Sequence, residues 1–124
     1  MIASLKGTLT SIGKSDIILE VNNVGYFLQV SSKLISSLGD LGSKLTLFTD
    51  LQIKDDKIIM YGFVTSKDQN FFRLLQSVQG VGPRAALSIL STLSVDEIIL
   101  AISSGDKAML SLIHISEPTR LGFI

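Results

Sequence analysis

The chain has 124 residues, of which 46% are hydrophobic and 18% charged, with eleven basic residues balanced by eleven acidic ones. The absence of cysteine excludes a disulfide framework and a thiolate metal site, and a single histidine excludes a multi-histidine metal centre. Zero net charge excludes the broad positive field with which non-specific nucleic-acid binders gather polyanions. A mean hydropathy of +0.47 in a chain long enough for one domain or two small ones leaves two readings open: apolar surface that meets a partner, most commonly a second copy, or a well-filled core with little polar decoration. No stretch approaches the roughly 18 apolar residues needed to cross a bilayer. The opening segment alternates instead of running apolar, so neither a signal peptide nor a membrane is expected, and the cytoplasm is the default location.

The first 64 residues read as strands. Ile2, Leu5, Leu9 and Ile12 alternate loosely in MIASLKGTLTSI. GKSD is a turn, and IILEVNNVGYFLQV follows as a hairpin with its turn placed at Asn23-Val24-Gly25. Ser31 to Leu38 is predicted as a short helix, with Leu34 and Leu38 on one face. SKLTLFTDLQI and KIIMYGFV are two further strands joined by KDDK. Five short strands with one helix between the third and fourth predict an OB-like barrel over residues 1–64. The expected fold class is therefore α+β, a five-stranded barrel followed by a small helical domain over 65–109.

Helical spacing begins at Ser66. SKDQNFFRLLQ opens with serine and an early acid and carries Phe71, Phe72, Leu74 and Leu75. A second helix is predicted over Pro83–Ser91, with Pro83 in the first turn, where its missing N–H is harmless. Ser94 and Glu97 make a capping-box pattern for a third. GDKAML is expected to open a fourth.

Between the first two of these helices lies VQGVGPRAALSIL, Val78 to Leu90. A dinucleotide fingerprint would need a third glycine, where Ala85 stands, and a preceding strand; a Walker loop would need a lysine after its last glycine. What fits is helix, tight Gly-Val-Gly turn, helix. The first amides of such a helix lack intrahelical acceptors and face the positive end of its dipole, so they suit an anion. Arg84 adds a bidentate donor. Residues of this type in this order point to a sequence-independent grip on a nucleic-acid phosphate, with a purely structural corner as the alternative and a nucleotide site as a remote one.

Several motifs in order then carry a resemblance over residues 1–109: the barrel pattern, VNNVGY in its hairpin, MYGF closing its last strand, and NFFRLLQSVQGVGPRAALSILS. Together they resemble the RuvA family, which binds four-way (Holliday) junctions in recombinational repair. The resemblance implies a non-catalytic, cofactor-free subunit, acting as a homotetramer that cradles junction DNA. It further implies that ATP hydrolysis belongs to the motor partner RuvB, and that the RuvC resolvase is another partner. It assigns phosphate contacts to Gly80, Gly82 and Arg84, with Gln79, Val81 and Ala85 beside them, and makes Asp55 and Asp56 an acidic pin at the strand crossover. Lys67 and Arg73 are loose candidates for DNA contact. Tyr61, Phe63, Phe71 and Phe72 are expected to pack inside the protein or between subunits.

The resemblance fails after Met109. The family's second glycine hairpin and third domain are not in SLIHISEPTRLGFI, and LSLIHISEPTR (Leu110–Arg120) resembles a translated library-preparation adapter. Residues 110–124 are therefore expected to be foreign, the copy C-terminally truncated, and its junction binding weaker than an intact relative's. His114 falls in this stretch and has no catalytic role. Two rival readings are a nuclease using Asp55 and Asp56 for Mg²⁺, disfavoured for want of a third ligand, and a protein-interaction or oligomerisation module without DNA binding of its own.

Overall fold

The computed structural model describes residues 2–104. Its elements are β1 (Ser4–Ile12), β2 (Asp16–Val21), β3 (Val24–Gln29), α1 (Ser32–Ser36), β4 (Lys44–Lys54), β5 (Lys57–Phe63), α2 (Ser66–Gln76), α3 (Pro83–Thr92) and α4 (Val95–Ser104). They form two compact units, Met1–Gln69 and Asn70–Ile124.

The first unit is a closed barrel in the order β1-β2-β3-β5-β4, with α1 between the third and fourth strands as predicted. All neighbours are antiparallel except β3 and β5, which close the barrel through a short parallel contact, Leu28 to Met60 and Gln29 to Tyr61. The period-2 pattern sends Leu5, Leu9, Ile17, Leu19, Leu28, Val30 and Leu47 inward, and Leu34 of α1 joins the same core. Full burial of such side chains contributes about 1.5–3 kcal/mol each, so this row accounts for most of what holds the strands together.

Closure requires β1 to serve two partners. Its first half pairs with β4 (Ser4–Phe48 to Thr8–Lys44) and its second half with β2 (Thr8–Glu20 to Ile12–Ile17). The strand bends between them. At Gly7 an added Cβ would lie 2.3 Å from the Glu20 carbonyl oxygen and 2.8 Å from Val21 Cγ2, so only glycine allows the approach. A register shift between Leu9 and Ser11 adds a bulge just beyond, which increases the local twist. The Leu9 amide there donates to Ser43 O at 2.9 Å.

Both long hairpins turn on two residues of positive φ. Asn22 and Asn23 have φ of 50° and 67°, and Asp55 and Asp56 have 51° and 62°. This is the type I′ combination that matches strand twist, and Asn and Asp tolerate it best. The first turn is thus Asn22-Asn23, one residue earlier than predicted, while Val24 and Gly25 already belong to β3. A β-branched valine would resist the left-handed conformation that two adjacent asparagines accept.

Buried polar groups join the N-terminal segment, β4 and the first turn of α2. Thr49, fully buried, donates its hydroxyl to Ile2 O (2.8 Å) and its amide to Ala3 O (2.9 Å). The Gln69 carboxamide donates to Thr49 O at 2.6 Å and to Ala3 O at 3.3 Å. The first turn of α2 is in this way part of the barrel unit. α1 is shorter than predicted, because Ser31 is its N-cap, accepting from the Leu34 amide, and Ser37 its C-cap.

In the second unit, Phe72, Leu75, Ala86, Leu87, Ile89, Leu90, Leu93, Val95 and Ile98 are buried. On α3 these fall at helical spacing, on one side. The capping box of α4 forms as predicted: the Glu97 amide donates to Ser94 Oγ at 3.1 Å and the Ser94 amide to Glu97 Oε1 at 3.0 Å. The helix predicted from GDKAML lies outside the described residues.

Two substitutions test this account. Gly7→Ala forces a methyl onto backbone that cannot yield, and is expected to destabilise the chain by about 1–3 kcal/mol. Gln69→Leu keeps volume but removes the donor from the Thr49 carbonyl, with an expected loss of about 1–3 kcal/mol. Urea unfolding reads both as a lowered midpoint, and an unchanged midpoint for either contradicts its assignment.

Candidate nucleic-acid interface

The turn between α2 and α3 is built by handing each free backbone group either to the chain or to solvent. Helical bonding runs past Gln76, with the Ser77 amide donating to Leu74 O (3.1 Å) and the Val78 amide to Leu75 O (3.2 Å). Gly80 then takes φ +83°, where any side chain would be strained. That reversal lets the Val81 amide donate back to Val78 O at 3.0 Å, and turns the Val81 side chain inward to 7% exposure. Gly82 follows as the N-cap of α3, with φ −88°, ψ −178° and no side-chain cap, and Pro83 occupies the first helical position. The Gly82 carbonyl accepts from the Ala86 amide at 3.0 Å, the first bond of the helix.

Among the described residues no carbonyl accepts from the amides of Gly80, Gly82, Arg84 or Ala85. No acidic side chain stands in the first turn of α3 to occupy them or oppose an anion. Arg84 and Gln79 are exposed beside them, while Ala86 is fully buried. Among the described residues the result is a cluster of N–H groups without a backbone acceptor, at and just before the positive end of a ten-residue helix with a guanidinium alongside, an arrangement suited to holding a phosphate. Val81 departs from the expectation. Its amide is already used inside the turn and its side chain is buried, so it anchors the loop and is not itself an anion donor.

Gly82 carries further information. Its backbone is extended, which any residue can adopt, and an added Cβ would meet nothing within 4 Å. Neither conformation nor packing within the protein therefore asks for glycine there.

Asp55 and Asp56 form the tip of the β4–β5 hairpin and are exposed, as are Lys54 and Lys57 on either side. They belong to the barrel unit, whereas the glycine turn belongs to the helical one. Among the described residues no three His, Cys, Asp or Glu side chains gather where they could hold a metal ion. Tyr61, Phe63, Phe71 and Phe72 are each at most 8% exposed, which rules them out as stacking platforms for bases. Lys67 and Arg73 are exposed on α2, and each engages a partner within the protein. No described helix is long and apolar enough to cross a membrane. The stretch 110–124, His114 within it and the place of a second glycine hairpin lie outside the described residues.

One pairing follows from the two-residue Asp55-Asp56 turn, which fixes the register of its hairpin. The register pairs Ile53 with Ile58 and Lys54 with Lys57, leaving the two isoleucines 72% and 69% exposed.

Comparison with known proteins agrees with this anatomy. Residues 1–62 match the family model described as the RuvA N terminal domain, and residues 72–114 match a SAM-like Helix-hairpin-helix tandem. The chain is 42% identical over 111 residues to a protein of Erythrobacter litoralis (strain HTCC2594), covering 90% of this chain and 56% of the relative. It is 40% identical to one of Azorhizobium caulinodans and 44% identical to one of Bartonella tribocorum, each over 90% of this chain and 54% of the relative. All three bear the name Holliday junction branch migration complex subunit RuvA. The chain thus spans about half the length of the curated relatives it matches. A barrel matched by the RuvA N-terminal model, helices matched by the helix-hairpin-helix model, and relatives of one name along nine-tenths of the sequence place it in the RuvA family.

Proposed function

We propose that this chain binds the sugar-phosphate backbone of four-way junction DNA as a non-catalytic subunit of a branch-migration complex in the cytoplasm. The contact is made by the amides of Gly80, Gly82, Arg84 and Ala85 together with the Arg84 guanidinium, with Gln79 at the rim and Val81 as the buried anchor. Such contacts read no base edge, so the grip is independent of sequence. Selectivity for a junction then comes from the number and placement of hairpins in an assembly, for which a homotetramer is the proposed form. RuvB as the motor and RuvC as the resolvase are the proposed partners of that assembly.

Asp55 and Asp56 are proposed to stand at the crossover. Two carboxylates on an exposed tip raise the cost of seating a phosphate there, and so steer strands to either side. The observation that supports the whole reading is the set of unpartnered amides before α3, beside a glycine that the protein's own packing does not require.

Arg84→Ala is expected to weaken junction binding about tenfold, the equivalent of 1.4 kcal/mol, and to lower the slope of log K against log salt by about 0.9. Gly82→Ser separates binding from folding. Serine supplies the side-chain cap that Gly82 cannot give α3, so stability should hold or rise by a few tenths of a kcal/mol, while its side chain obstructs the approach of a phosphate. Fluorescence anisotropy with a labelled four-way junction and a linear duplex, at two salt concentrations, measures both. Undiminished binding by both variants would remove the hairpin from the interface.

A further inference from the structure

The β4–β5 hairpin continues past the barrel wall. β5 meets β3 only from Met60 onward, and residues 53–58 are all exposed. Successive cross-strand pairs point to opposite faces of such an arm. Met60, which pairs with Leu51, packs against the barrel core, so the next pair on that face, Ile53 with Ile58, prolongs the inner surface. Lys54 and Lys57 occupy the outer face, as the last pair before the turn, and Asp55 and Asp56 cap the end. The arm therefore carries an apolar face, a basic face and an acidic tip within six residues.

The basic face is the unusual element. Among the described residues, Lys54 and Lys57 are the only two cations that face each other across a strand ladder. Like charges directly opposite weaken a hairpin, and the type I′ turn does not need them. Neither lysine forms an ion pair with Asp55 or Asp56, nor with any other described residue. The positive φ of both turn residues places the two acids on the end of the arm, whereas the strand pleat sets the lysines on its side. An anion bridging the two ammonium groups would remove their mutual repulsion and would lie behind the carboxylates.

Resting on the reading of the chain as a junction binder, we infer that Lys54 and Lys57 form a second phosphate contact. This contact holds the backbone of a DNA strand alongside the arm, while Asp55 and Asp56 keep it off the tip. The net charge of the four residues is zero, so the arm adds no long-range attraction and acts only on a strand already beside it. The lysines are positioning residues: they set the path of a strand at the crossover, a feature that a junction has and a continuous duplex lacks.

A double-mutant cycle tests this on the 124-residue chain, with Lys54→Gln/Lys57→Gln made in the native background and in Asp55→Asn/Asp56→Asn. Binding is read by anisotropy on a four-way junction and on a linear duplex, from about 50 to 200 mM salt. Two lost contacts at about 0.9 each lower the junction salt slope by about 1.8, which amounts to roughly a tenfold change across that range. The expected result is this loss on the junction, little change on the duplex, and the same loss when the acids are already neutral. If the loss disappears in the Asn background, the lysines merely screen the carboxylates and the inference is wrong. Equal losses on junction and duplex, or an altered oligomeric state by sedimentation, would likewise overturn it by assigning the pair to general attraction or to assembly. Wild-type chain that binds junctions and is weakened by Arg84→Ala, yet is indifferent to the lysine changes, refutes this contact alone. Wild-type chain that binds no junction refutes the underlying reading instead.

Discussion

The barrel closes because each of its five strands pairs along both edges, and β1 does so by dividing its length between two partners. β1 supplies the ladder to β4 with its first half and to β2 with its second, and Gly7 is the point where the backbone passes close enough to Glu20 for both to be satisfied. The closed order is β1-β2-β3-β5-β4, with the parallel β3–β5 contact as its shortest seam. That contact begins only at Met60, which leaves the far end of the β4–β5 hairpin outside the wall. The exposed arm is a continuation of two barrel strands, and not an appendage added to the wall.

The glycine turn obeys a comparable economy of backbone groups. Every buried amide must find an acceptor, and Val81 finds one in Val78 O only because Gly80 enters the left-handed region. With that bond made, the following amides have nowhere in the described chain to go. Gly80 and Gly82 look alike in the sequence but answer to different demands. The first satisfies the protein's own geometry, and the second leaves space that the protein does not fill.

The two candidate contacts would differ in kind. The α3 amides are fixed dipoles on a rigid helix end, preorganised for a phosphate and indifferent to which strand supplies it. The lysine pair is a pair of mobile point charges beside carboxylates of opposite sign, so its effect is short-ranged and depends on where a strand lies. A neutral chain can bind a polyanion by such means, with local geometry doing what a net positive field does in more basic proteins.

Much of this was legible from residue order alone. Strand and helix identity followed from periods of 2 and 3.6, the capping box at Ser94 and Glu97 from a local pairing three residues apart, and the glycine turn from residue types that few other structures use. These are short-range properties, set by sterics and hydrogen bonding within a few residues. The misplaced Asn22-Asn23 turn marks the limit of that reading, since alternation alone does not choose between adjacent frames; the requirement for two positive φ values does. Tertiary structure decided what depends on distant segments: that Gly7 lies against Glu20, and that Gln69 serves the Ala3 and Thr49 carbonyls. It also decided that β3 meets β5 in parallel, Leu28 to Met60 and Gln29 to Tyr61. Register between strands distant in the chain is settled by which of their faces is buried, and no run of residues contains it by itself.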